Sequence, residues 1–225
     1  MAGGLRNAAE SIVRLLYPTR ARCMGCGTMA GFEREWLCED CRRELAERWV
    51  GAAEPPEGGL FDGAAFAYRY GGASAGLTRN LKYRGVRRLA DVMGRHMVSA
   101  FGALSPARVD CAVPVPMHVR RLRQRGFNHA TALAQRVALE LDIPVREALV
   151  RILDTRQQAR LSDDERLHNQ EGAFALSMDV AGRRVLLVDD VCTTGATANA
   201  CARTLLEGGA AAVYLLCFAL ARNPD

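Results

Sequence analysis

The stretch that decides the fold is Val185-Leu-Leu-Val-Asp-Asp-Val-Cys-Thr-Thr-Gly-Ala-Thr197. Its apolar residues predict a buried strand, the carboxylates of Asp189 and Asp190 follow at the carboxyl end, and a short loop of hydroxyl residues and glycine leads into a helical run. In an open α/β sheet, ligands bind at the carboxyl ends of strands. A helix N-terminus offers unpaired N–H groups and a positive dipole end to a phosphate. The order of these features therefore predicts a site for a phosphorylated ligand.

The residues after the strand divide into two chemical groups. Asp189 and Asp190 repel a phosphate and suit the vicinal hydroxyls of a ribose, which donate hydrogen bonds to carboxylates. A helix cap alone would need only one of these acids. A nucleoside-triphosphate loop would end in Gly-Lys-Ser/Thr, and a dinucleotide site would read Gly-x-Gly-x-x-Gly, and neither pattern is present. The predicted phosphate loop comprises Val191, Cys192, Thr193, Thr194, Gly195, Ala196 and Thr197.

Strands and helices alternate along most of the chain. Apolar runs predict strands over 109–115, 149–153, 184–189 and 213–220, and helical periodicity predicts helices over 77–104, 127–141 and 197–206. Residues 61–70 alternate weakly and predict an edge strand, and the proline- and glycine-rich segment 51–59 reads as a linker. The pattern predicts an α/β fold with a parallel sheet flanked by helices.

Four of the eight cysteines form a regular cluster near the N-terminus, with the spacing Cys23-x2-Cys26-x11-Cys38-x2-Cys41. Two Cys-x-x-Cys pairs at this spacing are typical of a structural zinc site, in which four thiolates fill the coordination sphere. Two disulfides and a redox pair are the alternatives. Residues 5–16 carry apolar positions at helical spacing and predict a helix ahead of the cluster.

Basic residues are concentrated in one part of the chain. The formal net charge is +5, but residues 79–125 hold eleven basic and two acidic side chains, a local charge of +9. The arginines that follow the strand at 109–115 are expected to form a loop. Their guanidinium groups suit a pyrophosphate, and they would equally suit a nucleic-acid backbone or a solvated face. Lys82 is the only lysine in the chain. It marks either a position that needs a compact ammonium group or an exposed charge retained by chance on a solvated helix. The candidate anion-binding residues are Lys82, His118, Arg120, Arg121, Arg123 and Arg125.

The acidic strand and its loop resemble the motif with which type I phosphoribosyltransferases bind 5-phosphoribosyl 1-pyrophosphate (PRPP). Three more segments narrow the resemblance to the ComF family, which is named after competence protein F. They are the run Pro114-Val-Pro-Met-His-Val-Arg-Arg-Leu-Arg-Gln-Arg-Gly-Phe-Asn128, the positions Thr155, Gln158, Leu161, Arg166 and Asn169 with Gly172-Ala-Phe174, and the cysteine cluster.

The resemblance implies a type I phosphoribosyltransferase-like domain with an N-terminal zinc ribbon. It implies displacement at the anomeric carbon of PRPP, with Asp189 and Asp190 on the ribose hydroxyls, Mg²⁺ bridging substrate oxygens and pyrophosphate as the leaving group. The segment 155–174 would then form a mobile flap. The alternative function is that of a non-catalytic PRPP sensor, or of an accessory protein that binds single-stranded DNA or a helicase during DNA uptake.

Length and composition fit a cytoplasmic protein. The 225 residues are 49% apolar and 24% charged, and no apolar run approaches the ~20 residues needed to span a bilayer. Glu10 and Arg14 interrupt what would be the apolar part of a signal peptide. We expect a helix and zinc module over residues 1–50 and a phosphoribosyltransferase-like domain over residues 60–225.

Overall fold

The computed structural model describes residues 20–31, 36–58, 60–84, 88–104, 108–152 and 172–221. The helix predicted ahead of the cysteine cluster and most of the predicted flap lie outside these ranges. The elements in chain order are β1 Arg20–Arg22, β2 Met29–Gly31, α1 Glu39–Glu47, β3 Trp49–Ala53, β4 Gly63–Arg69, α2 Gly72–Arg84, α3 Arg88–Phe101, β5 Cys111–Pro114, α4 Val119–Arg125, α5 His129–Leu141, β6 Leu149–Arg151, β7 Phe174–Leu176, β8 Arg184–Cys192, α6 Ala196–Glu207 and β9 Ala212–Leu220.

A five-stranded sheet forms the centre of the fold, in the order β3-β4-β9-β8-β5. The pairs β4–β9, β9–β8 and β8–β5 are parallel, and β3 joins β4 antiparallel. Two antiparallel hairpins, β1–β2 and β6–β7, stand apart from it. The predicted α/β class with a mostly parallel sheet is confirmed.

Both faces of the sheet are covered, which explains why β8 reads as an unbroken apolar run. Leu186 and Val188 belong to a core shared with α2, α3 and α5, whereas Val185 and Leu187 belong to a second core shared with α6. Because β5 and β8 are parallel neighbours, the segments that follow them, 115–118 and 193–195, leave the same edge of the sheet. That edge carries the candidate site.

Two of the local predictions are wrong. The strand β4 lies inside the sheet between β3 and β9, whereas residues 61–70 were expected to form an edge strand. The edge strand on this side of the sheet is β3, whose residues 51–53 were read as part of a linker. The linker was predicted because glycine at position 51 is typical of turns. In the structure Gly51 has a φ of 78° and pairs with Phe66, so it lies within the edge strand and not in a turn.

Candidate functional site

The loop after β8 forms an open cradle of backbone amides. Gly195 caps α6 with a φ of 80°, a left-handed conformation that disfavours other residues. A Cβ at this position would lie 2.2 Å from the Cβ of Pro56, so the segment before β4 leaves no room for a side chain. Among the described residues, no acceptor takes a hydrogen bond from the backbone N–H of Thr193, Gly195 or Thr197. All three residues line a cavity.

A cavity of about 150 Å³ lies in this cradle. Its walls contain all seven predicted loop residues, Val191, Cys192, Thr193, Thr194, Gly195, Ala196 and Thr197, together with Asp189, Ala198 and Cys217. Unpaired amides at a helix N-terminus suit a phosphate group, so the geometry of the cavity agrees with the sequence prediction. Cys192 is buried as the last residue of β8.

Asp190 is held between the ammonium of Lys82 and the imidazole of His129, which come from distant parts of the chain. Its side chain is 4% exposed, the Nζ of Lys82 lies 2.5 Å from its Oδ2, and the Nε2 of His129 lies 3.3 Å from its Oδ1. Lys82 comes from the end of α2, and His129 opens α5 directly after the capping residue Asn128. Asp189 accepts a hydrogen bond from the backbone N–H of Asp190 at 2.8 Å. The two acids therefore have different surroundings.

The pKa values of the two acids are driven apart. Burial and the adjacent charge of Asp190 raise the pKa of Asp189 well above its usual value. Burial also acts to raise the pKa of Asp190, but the hydrogen bond with His129 and the positive charges of His129 and Lys82 outweigh it and lower that pKa. The arrangement thus favours one firmly ionised carboxylate beside one that can carry a proton, and both can bind hydroxyl groups.

A second cavity, of about 310 Å³, adjoins the phosphate cradle. Four of the six predicted anion-binding residues line it, namely Lys82, His118, Arg121 and Arg125, and Asp189 and Asp190 lie in the same wall. Arg120 and Arg123 do not line it and are exposed on α4.

The arginine-rich segment is a helix over Val119–Arg125, whereas we expected a loop, and His118 caps it by accepting a hydrogen bond from the backbone N–H of Arg120 at 3.3 Å. A helix turns its side chains in different directions, and this separates Arg121 and Arg125 from the other two arginines.

Sequence reasoning missed four further polar residues of this cavity. They are Tyr83, Asn128, His129 and Arg151. The Tyr83 ring is 71% exposed, with the guanidinium of Arg125 4.9 Å from its centroid. An Asn before a helical run is a recognisable N-cap signal, but nothing local in the sequence directs the next residue, His129, toward Asp190.

The four clustered cysteines come together, as their spacing predicts. Their sulfur atoms all lie within 4.8 Å of one another. Cys26 Sγ lies 3.7 Å from Cys38 Sγ, which is far beyond disulfide length and close to the roughly 3.8 Å that tetrahedral Zn–S bonds of about 2.3 Å would set. The backbone N–H groups of Gly25 and Cys38 donate to Cys23 Sγ at 3.4 and 3.3 Å. The cluster is therefore compatible with a structural zinc ion.

The cluster also favours deprotonated sulfur at one position, since the hydrogen bond with Thr28 lowers the pKa of Cys26 to about 6. The cysteines outside the cluster behave as small core residues: Cys111, Cys201 and Cys217 are fully buried.

Comparisons of the sequence with a protein-family model and with individual proteins point to the same group of relatives. Residues 122–224 match the phosphoribosyl transferase domain. The chain is 36% identical over 149 residues to the DNA utilization protein YhgH of Escherichia coli K12, covering 63% of this chain and 64% of that protein. It is 32% identical over 145 residues to competence protein ComFC of Bacillus subtilis strain 168, covering 64% and 58%. It is 38% identical over 104 residues to competence protein F of Haemophilus influenzae, covering 44% and 45%.

The matched regions span less than two thirds of each of these relatives. Among the helices in the described ranges, none combines the length and apolar character that a bilayer crossing requires.

Proposed function

The chain belongs to the ComF family, and from this membership and the geometry of its adjoining cavities we propose that it binds PRPP or a closely related ribose phosphate. The observation that carries the proposal is the shared wall of the two cavities. Asp189, Val191 and Thr197 line both of them. A ribose above these residues would present its 5-phosphate to the amide cradle, its diol to the acids and its anomeric pyrophosphate to the cationic cavity.

The same arrangement supports chemistry at the anomeric carbon. In the proposed reaction, an acceptor nucleophile forms a bond to C1 as the bond from C1 to the pyrophosphate oxygen breaks, and pyrophosphate leaves with that electron pair. Positive charge develops on the ribose ring, and the ionised carboxylate of Asp190 stabilises it. Lys82, Arg121 and Arg125 face the negative charge of the leaving group. The fixed pairing of Asp190 with Lys82 and His129 keeps these groups in place before the substrate arrives.

Mg²⁺ would neutralise charge on the pyrophosphate. Carboxylate oxygens are ligands that Mg²⁺ prefers, and the ligand atoms of His129, Asp189 and Asp190 lie within 4.8 Å of one another. Both oxygens of Asp190 already have a partner, Lys82 on one and His129 on the other, so Asp189 is the protein group better suited to the ion. Most of its remaining ligands would then come from the substrate.

We also propose that Cys23, Cys26, Cys38 and Cys41 hold a structural zinc ion, within a module over residues 1–50 that precedes a phosphoribosyltransferase-like domain over residues 60–225. Four sulfur ligands fill a zinc coordination sphere, which leaves no position for a substrate. Strand β3, Trp49–Ala53, bridges the boundary, because it starts inside the module and pairs with the sheet of the larger domain.

Calorimetry with a ligand series tests the proposal. PRPP with Mg²⁺ and ribose 5-phosphate should bind, whereas ribose, which lacks the phosphate, and glycerol 3-phosphate, which lacks the ribose ring, should bind at least ~10-fold more weakly, since each loses one set of contacts. Equal affinity across the series would contradict the assignment of the two cavities. Release of pyrophosphate with a panel of bases and amines would identify an enzyme, and tight binding without release would identify a sensor.

A second candidate function rests on the outer face of α4. Arg120 and Arg123 are exposed there and turned away from the ligand cavity, within the stretch of local charge +9. Relatives of the chain are named for DNA utilization and competence. Guanidinium groups on an exposed helix suit a phosphate backbone, so we propose single-stranded DNA, together with a helicase that handles it, as partners in DNA uptake.

The salt dependence of single-strand binding tests this role. Each lost phosphate contact should flatten the log–log slope by about 0.7, so a double substitution of Arg120→Ala and Arg123→Ala should flatten it by up to ~1.4. Arg203→Ala, an exposed arginine on α6, is the matched control and should leave the slope unchanged. No binding by the wild-type chain, or equal slopes in all variants, would remove the role.

A further inference from the structure

Helix α2 lies between the cysteine cluster and the acidic pair of the ligand site. Its inner face shares one hydrophobic core with the cluster, formed by Cys23, Leu37, Cys41 and Leu45 on one side and Ala73, Leu77 and Leu81 on the other. The helix therefore packs against the cysteine cluster along residues 73–81, and its last turn carries Lys82.

The first cysteine pair touches α2 at close range. A Cβ at Gly76 would lie 1.7 Å from the carbonyl oxygen of Gly25, so the helix backbone and the turn between Cys23 and Cys26 are in direct contact. The side chain of Asn80 then donates a hydrogen bond from Nδ2 to the carbonyl oxygen of Met24 at 2.7 Å. Met24 also lies between these two cysteines, so the contact ties the helix to the cluster itself.

The second cysteine pair holds the other end of the same helix. Cys41 lies on α1, and so does Glu44, whose Oε2 accepts a hydrogen bond from the backbone N–H of Ala73 at 3.1 Å. A carboxylate at the first turn of a helix satisfies an unpaired N–H and complements the helix dipole. Both halves of the cluster thus fix α2, one at its start and one near its end.

Lys82 lies close to this support. Its ammonium is a single point on a flexible four-carbon stem, and it lies 2.5 Å from the carboxylate of Asp190. Lys82 is two residues beyond Asn80, which is bonded to the cluster. Any shift of the last turn of α2 moves that ammonium relative to a nearly inaccessible carboxylate.

We propose that Asn80 is a positioning residue, which transmits the order of the metal-holding cysteine cluster through α2 to Lys82 in the ligand site. The cluster then has a function beyond local folding: it sets the position of the one lysine that pairs with Asp190. The effect on ligand affinity rests on the proposed ribose-phosphate site, whereas the coupling between cluster and lysine does not.

The single lysine makes the coupling directly measurable. Lys82 carries the one side-chain amine of the chain, so peptide mass spectrometry after treatment with an amine-reactive acylating reagent gives its rate against an added lysine peptide. The Lys82 side chain is 22% exposed and ion-paired, so labelling reports how often the end of α2 opens. Asn80→Asp keeps the shape of the side chain and removes the donor.

We expect Asn80→Asp to raise the labelling rate roughly fivefold, the factor that one intramolecular hydrogen bond typically contributes. Arg79→Ala, at the exposed neighbouring position, should leave it unchanged. Val180→Ala should also leave it unchanged, although it lowers the melting temperature, because Val180 is buried in the core on the other face of the sheet.

Metal removal is the second arm. Stripping the cluster with a chelator should raise labelling of Lys82 and deuterium uptake in residues 72–84 at least as much as Asn80→Asp does, and added Zn²⁺ should restore both. The proposal is overturned if metal analysis shows an empty cluster while labelling is unchanged, or if Val180→Ala raises labelling as much as Asn80→Asp. If labelling responds but no ribose phosphate binds to any variant, the coupling stands and the ligand assignment fails.

Discussion

The buried carboxylate of Asp190 is the most decisive position to change. Asp190→Asn preserves size and hydrogen-bonding capacity but removes the negative charge that faces Lys82 at 2.5 Å and His129 at 3.3 Å. It also replaces an ionised acceptor for a ribose hydroxyl with a neutral one. The substitution therefore acts on ligand affinity and on local charge balance together.

The magnitude follows from the burial of each group. A hydrogen bond to a charged acceptor contributes ~1.5–3 kcal/mol, so affinity for ribose 5-phosphate should fall about 10- to 150-fold. Breaking a fully buried ion pair destabilises a protein by ~3–5 kcal/mol, but the Lys82 side chain is 22% exposed and can turn to water. The loss of unfolding free energy should be smaller than that range, so the variant should still fold.

Calorimetric titration with ribose 5-phosphate measures the effect, and thermal unfolding checks that the variant is folded. Asp110→Asn is the matched control, because Asp110 is also a carboxylate paired with a basic side chain, that of Arg184. Asp110 lies just before β5, at the end of the strands opposite to the ligand site. If Asp190→Asn binds ribose 5-phosphate as tightly as wild type, the acids do not hold the diol and the reasoning is refuted.

Three further predictions concern single features of the fold. Gly195→Ala should weaken phosphate binding at least ~10-fold and lower the melting temperature, because the φ of 80° and the contact with Pro56 both exclude a Cβ; inorganic phosphate titration checks this, and unchanged affinity would contradict the cradle. Cys38→Ser should abolish stoichiometric zinc in metal analysis, whereas Cys111→Ser, a buried cysteine outside the cluster, should retain it. Hydrogen bonds from Arg184 lower the pKa of Asp110 to about 2, below its unfolded value of ~3.9, so the pair stabilises the fold above pH ~4 and loses this effect as the pH falls through 2. The difference in melting temperature between wild type and Asp110→Asn should therefore shrink across that window, and a constant difference would contradict the ion pair.

The sheet could be anticipated where strands are buried on both faces. Strand β8 and its neighbours read as apolar runs because helices cover both sides, and the predicted bounds differ from the observed ones by only a few residues. The prediction missed β3 and placed β4 wrongly at the edge of the sheet; glycine and alanine dominate both strands, and hydrophobicity carries little information there. Which strand lies at the edge depends on pairing between strands, and no local pattern encodes it.

The arginine-rich segment shows a different limit. Its charge was evident, but the assignment of a loop ignored the strong helix propensity of arginine and the capping group of His118. Only the helical geometry separates Arg121 and Arg125, which line the ligand cavity, from Arg120 and Arg123, which do not.

The sequence by itself determined the parts of the site that are contiguous in the chain. The cysteine spacing fixes four sulfur atoms within 19 residues, and the run from Asp189 to Thr197 carries the acids and the amide cradle on one strand–loop–helix unit. Only the tertiary structure decided that Lys82 and His129, from α2 and α5, meet at Asp190, and that the cysteine cluster supports the helix that carries Lys82. The physical reason is that these contacts join segments tens of residues apart, and the packing of helices on a shared core, rather than any local pattern, brings them together.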